Sequence, residues 1–167
     1  ILPLKDSRYI EVVCPLDHPA SDKSPFGKLV SRKAEEGGGW LTWVVAVDDL
    51  SPIEKRLARE AVPGHRRKPD GKDLHWRQIG VLETLDESSN PFFIQWTSDT
   101  HPSEENKSEI SLESLEIYGD EKAISVKYGL NGFISSTGVH FEWIDSQEEN
   151  GIISARFSTP QGIVSID

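Results

Sequence analysis

Glu11 is one carboxylate among apolar neighbours in the run Tyr9-Ile10-Glu11-Val12-Val13. The run reads as a buried strand, whose side chains alternate between two faces, so Tyr9, Glu11 and Val13 share one face. A carboxylate facing a core or cavity is costly unless it is paired, protonated, or bound to a metal or polar ligand. Glu11 is therefore a candidate metal ligand or catalytic base; the alternative is an edge strand with Glu11 in water or paired to an arginine. His101, in Asp99-Thr100-His101-Pro102 beyond an apolar run, is a candidate acid or base, because imidazole titrates near neutrality; a surface-loop histidine is the alternative. Arg66 and Arg67 could clamp a carboxylate or phosphate through the planar guanidinium fork, or simply balance charge on a solvated turn. Trp76 and Trp96 could line a pocket or fill a core. His75 lies on a strand between Leu74 and Trp76, and His18 and His140 have no partner visible in the sequence. No Ser–His–Asp ordering, CxxC pair or nucleophile elbow is present.

The elements that must position these residues are expected as follows. Ile1 to Leu4 and Tyr9 to Val13 read as a hairpin about Lys5-Asp6-Ser7-Arg8. It looks like the tail of a module whose first strand and helix lie upstream. Residues Pro15 to Gly39, rich in Pro, Ser, Asp, Lys and Gly, read as a connecting loop. Their Gly37-Gly38-Gly39 lacks the Lys-Ser/Thr pair and following helix of a phosphate cradle. Trp40 to Val47 reads as a strand, then a helix with Ser51 and Glu54 as a capping box and Pro52 in its first turn. Ile53, Leu57 and Ala61 give that helix one apolar face, and Val62-Pro63-Gly64 stops it. Strands are expected around His65 to Lys68, Lys72 to Val81 and Phe92 to Thr97. Pro69-Asp70-Gly71 is a turn and Leu82 to Asn90 an acidic loop. The same order recurs as a strand at Leu112 to Tyr118, a helix at Asp120 to Leu130 stopped by Asn131-Gly132, and strands at Gly138 to Ile144, Ile152 to Ser158 and Ile163 to Ile166. The expected division is an incomplete module plus loop at residues 1–37, a complete βαβββ module at 38–107 and a βαβββ-like module at 108–167. Such units bury their sheet faces by pairing. The class is α+β, with paired, curved, mostly antiparallel sheets around a cleft.

Composition narrows the functions. With 18 basic and 28 acidic residues among 167, the net charge is −10, which argues against nucleic acid or an anionic membrane surface as partner. Asp86-Glu87, Glu104-Glu105 and Glu148-Glu149 lie among Ser and Asn and read as solvated loops. One cysteine, Cys14, leaves no internal disulfide and suggests a reducing compartment; following an apolar strand, it is expected to be buried and inert. No apolar run reaches the ~18 residues of a membrane span and no signal peptide opens the chain. A cytoplasmic protein is expected, and Asn106-Lys107-Ser108 is a chance sequon. The chain has no Met and opens on Ile1, so the polypeptide is expected to extend upstream.

The chain resembles the vicinal-oxygen-chelate superfamily and, within it, the glyoxalase-like domain proteins common in bacteria. The matching stretches are Arg8 to Val13, Pro25-Phe26-Gly27, Leu41 to Leu50, Arg66 to Gly71, Leu74 to Arg77, Pro91 to Trp96 and His101-Pro102-Ser103. The resemblance implies a cleft holding a divalent metal (Zn, Ni, Fe or Mn) between a first-strand His and a last-strand Glu, where it acts as a Lewis acid on a small oxygenated metabolite. Glu11 stands where the last-strand Glu is expected, and its partner strand would lie before residue 1. In the middle module Thr42 stands for the His and Gln95 for the Glu, both poor ligands for a transition metal. Two functions follow. One is metal-assisted lyase, isomerase or dioxygenase chemistry, with Glu11 and His101 as catalytic groups and Arg66 or Arg67 anchoring an anion. The other is a binding protein of the bleomycin-resistance type, with Trp76, Trp96 and Gln95 stacking on and hydrogen bonding to a small molecule. The resemblance also makes a homodimer plausible.

Overall fold

The computed structural model describes residues 1–15, 23–68, 70–99, 101–103, 107–130, 132–146 and 148–167. His18, Pro69 of the turn, Glu104-Glu105, Asn106 of the sequon and Asn131 lie outside them. The chain is α+β. A short hairpin, β1 (Leu2–Pro3) and β2 (Tyr9–Ile10), precedes helix α1 (Pro25–Glu35). A first sheet follows, built from β3 (Val44–Ala46), β4 (Val62–Arg67), β5 (Asp73–Ile79) and β6 (Phe92–Trp96), with α2 (Ser51–Leu57) and α3 (Val81–Asp86) in its connections. The second sheet comprises β7 (Ser111–Tyr118), β8 (His140–Ile144), β9 (Gly151–Thr159) and β10 (Gly162–Ile166), with α4 (Glu121–Tyr128) and α5 (Phe133–Ser136) between β7 and β8. Pairing is antiparallel except for β3–β6 and β7–β8.

Each sheet has four strands with a helical connection after its first, but α3 also interrupts the strands of the first sheet, and the sheets are wired differently. The first runs β3-β6-β5-β4, with its first and last strands adjacent; the second runs β10-β9-β7-β8, with its first strand inside. In the second, α4 and α5 return the chain directly beside β7, as a crossover between parallel neighbours requires. The connection through α2 instead crosses the whole sheet.

Several local expectations are corrected. The stretch expected as a loop contains α1, which starts favourably: the Ser24 hydroxyl accepts from the Gly27 N–H at 2.9 Å, Pro25 fills the first turn, and Arg32 and Lys33 lie in the last. The expected acidic loop contains α3, whose Thr84 is fully buried and donates to the carbonyls of Gly80 and Asn90 at 3.2 Å. Ser51 and Glu54 form no capping box. Ser51 donates its N–H and hydroxyl to Asp49 Oδ1 at 2.9 and 2.7 Å, while Glu54 accepts from Arg77 on β5 and from the Ala61 N–H. That helix stops at Ala58, which has a left-handed φ of 51°, and Val62-Pro63-Gly64 already belongs to β4. Similarly α4 keeps its Asp120 cap but ends at Gly129. The expected strand Tyr9 to Val13 is paired only at Leu2↔Ile10 and Pro3↔Tyr9. Pro3 offers the ladder no N–H, and residues 11–15 pair with no described strand; Val12 is 84% exposed and Cys14 is exposed rather than buried.

One core spans both sheets. Val45 and Phe93 of the first join Leu115, Ile117, Ala155 and Phe157 of the second, with Ile53 of α2 and Ile124 and Tyr128 of α4. Ser89 ties the sheets through polar contacts. Its hydroxyl donates to the Tyr118 carbonyl and accepts from the Gly151 N–H, while its carbonyl accepts from the Trp43 indole at 2.9 Å. The buried Ser89 is thereby satisfied, as a polar group in a core must be. No helix among the described residues is long and apolar enough to cross a membrane.

Tyr128 is 2% exposed, its ring lies 5.0 Å from that of Phe93, and its hydroxyl has no hydrogen-bond partner among the described residues. Burial pushes this phenol well above its ordinary range. Removing an unpaired buried hydroxyl relieves a desolvation cost, so Tyr128→Phe should leave stability unchanged or raise it by about 1 kcal/mol in urea unfolding. A loss of that size would show that the hydroxyl has a partner.

Candidate functional site

A cleft of about 1370 Å³ opens between the hairpin, α1 and the two sheets. Its first wall is set by alternation. On β5, Leu74, Trp76 and Gln78 face the cleft; on β6, Phe92, Ile94 and Trp96 do; on β4, Arg66 does. The second sheet closes the opposite side with Leu112, Leu115, Ala155 and Phe157.

The wall carries a row of rings. Gly64, Trp76 and Trp96 are directly opposite one another across β4, β5 and β6. The indoles of Trp76 and Trp96 lie 5.5 Å apart, Trp96 stands edge-on to His101 at 5.3 Å, and His101 is 5.8 Å from Tyr9. The Trp76 Nε1–H donates to Gln78 Oε1 at 2.8 Å. The Trp96 Nε1–H is buried with no partner among the described residues. A buried donor left unpaired is costly, and this one lies in the wall of the cleft.

At the rim, Arg66 Nη1 lies 3.6 Å from Glu11 Oε1, with the two side chains 54% and 44% exposed. Glu11 thus stands beyond the end of β2 and is paired to an arginine, not on a buried strand. Burial, and then the negative charge of Glu11, push the Tyr9 phenol up to about 12, so it remains a protonated donor at neutral pH. His101 Nδ1 accepts from the Ser103 N–H at 3.3 Å and lies 2.7 Å from its hydroxyl. A neutral ring held this way carries its proton on Nε2.

The structure therefore brings together Glu11, Arg66, Trp76, Trp96 and His101, and it leaves out Arg67 and Gln95. Both are one residue out of phase with the cleft face. Arg67 is 72% exposed near Asp73, and Gln95 donates to the Asp48 carbonyl at 2.6 Å on the other side of β6. Two contributors were not expected from the sequence: Tyr9 as a member of the ring row, and Gln78, which holds the Trp76 indole. The spacing Leu74-Trp76-Gln78 carries the signal for the second.

A metal in the cleft does not fit the side chains present. Glu11 belongs to no group of three His, Cys, Asp or Glu side chains close enough to share an ion among the described residues, Thr42 donates to the carbonyls of Trp43 and Asn90, and Gln95 donates to the Asp48 carbonyl. Among the described residues, the one group of three His, Cys, Asp or Glu side chains close enough to share an ion is His65, Asp73 and His75, outside this cleft.

The register also explains Gly64. A Cβ there would lie 2.2 Å from Trp76 Cε2, so the indole lies directly over the Gly64 Cα. Gly64→Ala should displace Trp76, cost roughly 1–3 kcal/mol of stability and shift tryptophan emission to the red. Unchanged emission and unfolding midpoint would contradict this packing.

A family model described as "Glyoxalase-like domain" matches residues 1–127. No curated protein and no solved structure matches the chain.

Proposed function

The chain belongs to the glyoxalase-like domain family, and from that premise we propose that its cleft binds a flat small molecule bearing a carboxylate or comparable oxygens. The observation that carries this reading is the pair of cleft-facing indoles, with a buried Trp96 N–H that has no partner among the described residues and a guanidinium at the rim. Indole faces favour a planar ligand, each stacked ring contributing about 0.5–1.5 kcal/mol beyond area burial. The Trp96 N–H would donate to a ligand oxygen, and Arg66 would take the anionic end. The present partner of Arg66 does not prevent this. A half-exposed Arg–Glu pair contributes at most about 1 kcal/mol, whereas a bidentate guanidinium–carboxylate contact in a cleft contributes about 1.5–3 kcal/mol. Arg66 can thus exchange Glu11 for a ligand, or bridge both.

A second reading, in which the bound molecule is also turned over, is supported by His101, anchored through Nδ1 beside Trp96. In its neutral form such a ring donates a hydrogen bond from Nε2 and would stabilise a developing oxyanion. Nothing in the cleft supports routing this chemistry through a metal held by Glu11.

Titration of a panel of aromatic 2-oxo and 2-hydroxy carboxylates, followed by tryptophan fluorescence, tests the proposal. At least one member should quench emission saturably, and Arg66→Ala should weaken it by roughly 10–100-fold while sparing the corresponding neutral alcohol. Equal affinity in Arg66→Ala would remove Arg66 from the site. Turnover that His101→Asn abolishes while binding persists would carry the enzymatic reading.

A further inference from the structure

On the face of β4 and β5 that turns away from the cleft, we propose a surface site for a divalent transition metal, formed by His65, Asp73 and His75. His65 and His75 are direct cross-strand partners on β4 and β5. Asp73 lies two residues before His75, on the same face of β5. The rings of the two histidines are 4.7 Å apart, His65 Nε2 is 3.1 Å from Asp73 Oδ1, and one ligand atom from each of the three residues lies within 4.8 Å of the others. A four-coordinate zinc with ligands at about 2.0–2.2 Å needs donor atoms roughly 3.3–3.5 Å apart. The His65–Asp73 pair, at 3.1 Å, lies just inside that spacing, and all three donors reach it by small rotations of exposed side chains.

The donor set selects the ion. Two imidazoles and one carboxylate suit zinc, nickel or copper(II); magnesium and calcium require oxygen ligands. Three protein ligands leave further positions for water or a ligand molecule. The site is not the metal position that the family resemblance places in the cleft. It lies on the outer side of strands whose inner side carries Arg66 and Trp76. An ion here would pin β4 to β5 and so fix the strands beneath the cleft wall. The site stands independently of the proposed ligand, because its geometry involves no cleft-facing group.

Isothermal titration of the tag-free protein with zinc, in a Cys14→Ser background that removes the exposed thiol, tests the inference. The expected result is one ion per chain, with a thermal midpoint that rises with zinc concentration and no response to magnesium. His65→Asn and His75→Asn should each weaken binding by roughly tenfold or more, with folding of these exposed variants verified by circular dichroism. Absence of saturable binding at millimolar zinc, or stoichiometric binding that both histidine variants leave intact, would overturn the site.

Discussion

The register that sets Gly64, Trp76 and Trp96 in one row across β4, β5 and β6 is the constraint on which the rest depends. Side chains on a strand alternate, so a slip of one residue would turn every cleft residue outward. With the register as it stands, Trp76 rests on the only residue type that leaves room for it, and Trp96 follows on the next strand. Arg66 falls on the cleft face, Arg67 on the other. The outward residues of the same strands are equally determined: Arg77 reaches Glu54 of α2, and Ile79 and Phe93 enter the core shared with α4.

The two faces of the antiparallel pair β4–β5 therefore offer different chemistries. The inner face has aromatic surface, a buried indole N–H with no partner among the described residues and a cation at the rim. The outer face gathers imidazoles and a carboxylate. The Glu11–Arg66 pair is a weak contact between half-exposed groups.

Much of the scaffold was legible from the sequence. Leu112 to Tyr118 alternates and forms β7, Asp120 caps α4, and the apolar runs near Phe92 and Ile152 are strands. Where reading failed, a competing local signal or a non-local pairing prevailed. Pro25 and the small polar residues around α1 read as loop, although Pro in the first turn after a Ser cap favours a helix. Six-residue α3 is too short to show periodicity. Glu54 satisfies Arg77 and Ala61 instead of the helix start, a tertiary choice that no local motif announces. The second sheet, like the first, has a helical connection after its first strand but does not share its strand order, because pairing partners lie far apart in sequence. Of the candidate site, Trp76, Trp96, Arg66 and His101 were legible by residue type, yet their shared face was not. Choosing Arg66 over Arg67, or Trp96 over Gln95, requires the register. The His65–His75 pairing requires it as well.

The most direct test of the cleft is the indole N–H resonance of Trp96 in tryptophan-labelled protein, assigned by Trp96→Phe and followed as an aromatic carboxylate is titrated. A ligand oxygen accepting from this N–H should move the Trp96 signal downfield with the same saturation curve as the fluorescence, while the Trp40 indole, which already donates to the Ile166 carbonyl at 3.0 Å, stays in place. A stationary Trp96 signal at ligand saturation would contradict binding at this wall.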